Sequence, residues 1–162
     1  MATFKSVSRV IRKVKTELLT RSFNRKLGNE AKEIVFKRVK LGFGVDNEDS
    51  RNPRRVRFRK LTPNYIRQRR RRGVQGSFGG PRKSNLTDTG QLLDSMIVRA
   101  NRDGFTILIP DSRRRGGRNT NAEVAIFVSD SGRPFFALTG AEVNILKKSI
   151  TDRIRRLTRR VT

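Results

Sequence analysis

Between Asp49 and Asp88 the chain has no acidic residue, yet thirteen cations occupy that interval, from Arg51 to Lys83. The densest part is Arg67, Arg69, Arg70, Arg71 and Arg72, followed by Gly73, Gly76, Gly79, Gly80 and Pro81. Like charges at this density repel, and the apolar area is too small to offset chain entropy. Residues 42–85 are therefore expected to form a long basic arm attached to a core built elsewhere. One short helical turn is expected inside it, from Thr62-Pro63 to about Arg72, with Thr62 as cap and Pro63 at the first position.

The core must come from the flanks. Phe4, Val7, Ile11, Val14 and Leu18 recur at helical spacing, and so do Phe23, Leu27, Ala31, Ile34 or Val35, and Val39. This predicts two amphipathic helical pieces over residues 1–41, with a break or kink at Gly28-Asn29, ending before Gly42. After the arm, Met96, Val98 and Ala100 alternate with polar residues. Asn101-Arg102-Asp103-Gly104 follows, and then Phe105, Ile107 and Ile109. Period-two alternation on both sides of an Asp-Gly turn predicts a β-hairpin. Residues 111–121 form a second basic loop carrying Arg113, Arg114, Arg115 and Arg118. Glu123 to Val128 is a short apolar piece that fits helix or strand equally.

Arg133-Pro134-Phe135-Phe136-Ala137-Leu138 reads as a strand entered through proline. Thr139-Gly140-Ala141-Glu142 fits a capping box opening a last helix, with Val143, Leu146, Ile150, Ile154 and Leu157 on one face. The sum is a single α+β domain over residues 1–162. A small, mainly antiparallel sheet is packed by N-terminal and C-terminal amphipathic helices. Residues 1–41 form the helical region, 42–85 the arm, and 86–162 the hairpin, strand and final helix.

The chemistry this chain can perform is narrow. It has no cysteine and no histidine, which removes disulfides, thiolate nucleophiles, the usual neutral-pH base and the commonest transition-metal ligands. The glycines after Arg72 lack the Gly-Lys-Ser/Thr of a phosphate loop, and Asp46-Asn47-Glu48-Asp49 lacks the spacing of a calcium loop. The 14 acids are scattered, whereas a metal-dependent nuclease needs carboxylates that converge. No catalytic residue, metal site or cofactor is expected. No apolar run reaches the ~18 to 20 residues of a bilayer span, and MATFKSVSRVIRK has no signal-peptide apolar block.

The charge balance instead describes a binder. Thirty-nine Lys and Arg against 14 Asp and Glu give +25 in 162 residues, and 28 of the 39 cations are arginine. Guanidinium pairs with phosphate or carboxylate through two parallel hydrogen bonds, so a polyanion is the expected partner. Arg67, Arg69, Arg70, Arg71, Arg72, Arg113, Arg114, Arg115 and Arg118 are the candidate contacts to a partner or to nucleic acid. Base-specific readout is not expected, since no recognised reading motif is present.

Three segments in order resemble the tail-completion, or virion-morphogenesis, family of tailed bacteriophages, the head–tail joining proteins related to the Mu-like G protein. They are Leu61-Thr62-Pro63-Asn64-Tyr65-Ile66-Arg67, then Leu86-Thr87-Asp88-Thr89-Gly90-Gln91-Leu92-Leu93-Asp94-Ser95-Met96, then Gly132-Arg133-Pro134-Phe135-Phe136-Ala137-Leu138-Thr139. The family's aromatic-Ala-x-x-His-x-Phe-Gly element is replaced here by Asn121 to Val128, and both basic segments are enlarged. The resemblance implies a non-enzymatic virion protein of the neck or tail top, assembled in the host cytoplasm. It further implies a homo-oligomeric ring, commonly a hexamer, around the DNA channel. The neighbours so implied are head-connector proteins near the portal, tail tube or tail terminator proteins, and packaged double-stranded DNA; no membrane is involved. Thr89, Gly90, Leu92, Ser95, Arg133, Pro134 and Phe135 are its motif residues, and caps and glycines of this kind serve local structure. The alternative reading is a ribosomal-type or other RNA-binding protein whose Arg-rich extensions thread through RNA.

Overall fold

The computed structural model describes residues 11–16, 18, 20–46, 53–71, 82, 91–112 and 118–159. Residues 11–16 are helical, and a longer helix, α1, runs from Arg21 to Lys40. Thr20 caps α1 by accepting from the Phe23 amide at 3.1 Å. The interruption in the N-terminal region therefore falls around Thr20, not at Gly28-Asn29 as the composition suggests. Gly28 sits in unbroken helix because α1 presses there against the hairpin: a Cβ on Gly28 would overlap Val98 and lie 3.0 Å from the Phe105 ring. The helix ends on Leu41, whose amide donates back to the Lys37 and Arg38 carbonyls. Gly42 then turns the chain at φ 86°, a left-handed conformation that favours glycine.

Strand β1, Phe43–Asp46, pairs antiparallel with β2, Arg54–Arg57, in the register Phe43↔Arg57 to Asp46↔Arg54. This corrects the expectation that the arm begins at residue 42, since its first part is a hairpin. Few apolar residues suffice because they are correctly spaced. Val45 and Phe58 are buried, Leu61 follows, and Arg54, Arg55 and Arg57 point to solvent. Arg55 lies 3.8 Å above the Phe43 ring, so part of the cation density is held by an aromatic face. Helix α2, Pro63–Arg71, forms where the Thr62-Pro63 signal places it, with Thr62 Oγ1 accepting from the Tyr65 amide at 3.4 Å.

Helix α3, Gln91–Asp94, leads into the second antiparallel pair, β3, Ile97–Ala100, and β4, Phe105–Leu108. Their connecting turn is closed by Asn101, whose side-chain oxygen accepts from the Asp103 amide at 3.0 Å and the Gly104 amide at 2.8 Å. The piece that periodicity left open is helical: α4 spans Asn121–Asp130, opened by a complete capping box between Thr120 and Glu123. Helix α5, Gly140–Arg159, closes the described chain. The architecture is thus α+β, with two separate two-stranded antiparallel sheets around α1.

Residues 133–138, expected as a strand, are irregular. The reason lies in what satisfies their carbonyls. Pro134 O accepts from the Val45 amide at 2.8 Å, whereas the Phe135 and Ala137 carbonyls accept from the Arg38 side chain at 2.6 and 2.8 Å. A side chain has taken the groups that a neighbouring strand would need. The main core joins Val35 and Val39 of α1 to Phe58, Leu92, Leu93, Met96 and Phe135. A smaller one joins Leu27 and Ala31 to Leu146 of α5.

Candidate polyanion-binding surface

Helix α2 turns an arginine run into two chemically different faces. Arg67, Arg70 and Arg71 stand at positions i, i+3 and i+4 and are exposed, so one face presents three guanidinium groups to solvent. The Arg67 guanidinium donates to Asn64 Oδ1 on the same helix, which orients it outward. Arg69 lies on the opposite side, with Tyr65 and Ile66, and is only 2% exposed. Arg69, expected among the partner contacts, is instead buried, because helical geometry rotates it inward. Arg54, Arg55 and Arg57 of β2 add exposed cations from the adjoining hairpin.

Of the second basic loop, Arg118 is described and exposed; Arg72, Arg113, Arg114 and Arg115 lie outside the described residues. A further basic surface comes from α5, where Lys147, Lys148, Arg155, Arg156 and Arg159 are exposed. Arg155 pairs with Asp152 at 3.4 Å, an exposed contact worth little energetically and easily exchanged for a partner's anion. Beside it, a groove of about 420 Å³ runs between α1 and α5, lined by Lys26, Glu30, Asp152, Arg153 and Arg156. Its Glu30 carboxylate accepts from Ser149 Oγ at 2.7 Å, so the groove is braced internally.

Two of the described motif residues lie in the core, and the others brace the segments beside it. Leu92 and Phe135 are buried in the same cluster, and Ser95 Oγ donates to the Leu92 carbonyl at 2.8 Å, closing α3. The Met96 carbonyl accepts from Lys32 Nζ at 2.5 Å, tying this segment to α1. Pro134 supplies the carbonyl that Val45 uses, and Arg133 is half-buried with its Nε unpartnered. Thr89 and Gly90 lie outside the described residues.

One functionally placed residue was not singled out by the charge pattern. Arg38 is buried, pairs with Glu142, and holds the 133–138 segment against α1. Its signal in the sequence is positional: it follows Ala31 and Val35 at helical spacing, on the apolar stripe of α1. Burial lowers the Arg38 pKa from the ordinary arginine value, the Glu142 charge opposes that fall, and the Arg55 charge adds to it.

Among the described residues no group of three or more metal-ligating side chains converges, and no helix is long and apolar enough to cross a membrane. Comparison with protein-family models, with curated proteins and with solved structures finds no match. The described surface displays arginines on short elements around a small core.

Proposed function

We propose that the chain is a non-enzymatic structural protein of a tailed-phage virion. It acts at the neck or tail top, in tail completion or head–tail joining, as a ring around the DNA channel. The observation that carries this reading is a division of labour. Leu92 and Phe135, from the second and third motifs, build one core, while Arg67 of the first motif and Arg70 and Arg71 just after it face outward. A frame whose hydrophobic residues make the core and whose arginines stand on display suits an assembly component.

Ring symmetry strengthens the electrostatics. Six copies at +25 carry about +150, a field that attracts DNA phosphate or acidic connector surfaces. The head-connector and tail proteins, and double-stranded DNA, are the partners this reading assigns to the arginine face.

Labelling of purified particles with an antibody against the chain tests the proposal. Label at the junction of head and tail is the expected result. Particles without label, with the protein recovered instead on ribosomes or other RNA, would replace this reading with the RNA-binding one.

A further inference from the structure

The least basic stretch of the described surface is also its most exposed apolar one. Helix α4 carries Glu123, Ile126, Phe127 and Asp130 at i, i+3, i+4 and i+7, so the four form a single stripe, and all four are exposed. Ile126 is 63% and Phe127 72% exposed, while Val124, Ala125 and Val128 on the other side of the helix pack against the main core. No cation lies between Asn119 and Gly132, in a chain that otherwise averages just over one in four. Two bulky apolar side chains bracketed by carboxylates are costly to leave in water and mark a contact surface.

From this stripe we propose that α4 docks head-to-tail onto the basic surface of a second copy of the same chain. Charge complementarity selects the occupant. A copy at +25 exposes cations on α1, β2, α2 and α5, and the described residues include exposed apolar positions close to lysine. Leu41, 56% exposed, stands one turn from Lys37, and Ile145, 51% exposed, stands one turn from Lys148. Charge also selects the geometry. A two-fold contact of α4 with α4 sets carboxylate on carboxylate in either direction, Glu123 against Asp130 or each against itself. That arrangement is repulsive, so the contact is heterologous, and a heterologous contact that closes generates a ring. The inference rests on the ring reading above for its biological setting and adds to it which face is used.

The mutual repulsion of two such basic chains opposes docking at low salt. The contact is therefore best read at about 0.3 M salt, where the Debye length is roughly 6 Å and only adjacent charges interact strongly. The test is photo-cross-linking of the purified full chain carrying Phe127→p-benzoylphenylalanine, followed by mass spectrometry of the captured peptide. The expected result is a ladder of cross-linked copies whose captured peptides come from lysine-bearing surfaces, reduced at least about tenfold by Asp130→Lys.

Capture of α4 by α4, a ladder indifferent to Asp130→Lys, or cross-linking within single chains only would overturn it. Phe127→Ser, at an exposed site, is expected to remove self-association in sedimentation while leaving the melting temperature in place. A coincident loss of fold would also count against the assignment of α4 as a surface element. The two proposals fail separately: neck labelling without cross-links removes this one, and cross-links without neck labelling removes the other.

Discussion

Arg38 and Glu142 form a buried ion pair that joins the middle of the molecule, and each partner does a second task. The same guanidinium donates to the Phe135 and Ala137 carbonyls, and the same carboxylate oxygen accepts from the Thr139 amide at 2.8 Å. Thr139 Oγ1 in turn accepts from the Glu142 amide at 3.3 Å, completing the capping box of α5. One pair thereby sets the position of α1, the irregular segment 133–138 and the start of α5. Desolvation is only partly offset, since Arg38 Nε has no partner and burial depresses the pKa. Such a pair specifies an arrangement more than it adds net stability.

Removing one member is expected to be severe. Glu142→Ala strands a buried cation and deletes the cap, at a cost of about 3 to 5 kcal/mol. For a chain of this size that is a fall in Tm of roughly 10 °C or more. Glu142→Gln keeps the capping hydrogen bond, and Arg38→Met removes the charge that Gln cannot match. The double variant should lose less than the sum of the two single changes by about 2 kcal/mol, measured by urea unfolding. Strict additivity would remove the pair from its organising role.

Gly44 marks the closest approach of β1 to the 133–138 segment. A Cβ there would overlap the Pro134 carbonyl oxygen and come within 2.7 Å of the Phe58 ring. Backbone cannot swing aside as a side-chain tip can, so Gly44→Ala should cost about 2 to 3 kcal/mol or more. Gly104→Ala, at a turn position with open space around it, should change stability by no more than about 0.5 kcal/mol. Thermal unfolding of the two variants side by side decides the matter, and equal melting temperatures would contradict the packing at β1.

These elements also separate what was legible in the sequence from what was not. The β3–β4 hairpin, the start of α2 at Thr62-Pro63 and the α5 capping box were readable because each is fixed by residues within a few positions of one another. The β1–β2 pair was not, since Val45 and Phe58 are buried by partners far along the chain, and local charge density masked them. The 133–138 segment has strand-like composition, but its carbonyls are claimed by Arg38, which no local pattern shows. Gly28 reads as a helix breaker until Val98 and Phe105 are seen to need the space. For the candidate site, the cation density was legible as a quantity, while its direction was not. Only the helical phase of α2 shows that Arg69 turns inward as Arg67, Arg70 and Arg71 turn out.

That phase gives a direct test of the arginine face. If Arg67, Arg70 and Arg71 contact DNA phosphate, replacing all three with Ala should weaken binding at every sequence and lower the slope of log K against log salt by up to about three units. Folding should be unaffected, because the three side chains are exposed. Arg69→Ala should do the reverse, lowering stability through lost packing and leaving the salt slope in place. Filter binding across a salt series, with Tm as control, reads both. A salt slope that responds to Arg69 and not to its neighbours would place the polyanion elsewhere.

Helix α1 holds the second hairpin at two points. Asn24, buried on α1, donates from Nδ2 to the Asn101 carbonyl at 2.9 Å and to the Arg102 carbonyl at 3.2 Å. Four residues further on, Gly28 receives Val98 and Phe105, so the helix fixes the hairpin by a polar clamp at its turn and a close approach along its strands. Asn24→Ala removes both donors and leaves the turn carbonyls to water. The cost should be about 1 to 2 kcal/mol, with no cavity penalty beyond a few atoms. The loss should be local before it is global. Amide hydrogen exchange should quicken at Asp103 and Gly104, whose amides depend on the Asn101 side chain, while the amides of α5 keep their protection. Uniform acceleration across α5 as well would mean that the clamp holds the whole fold and not the turn alone.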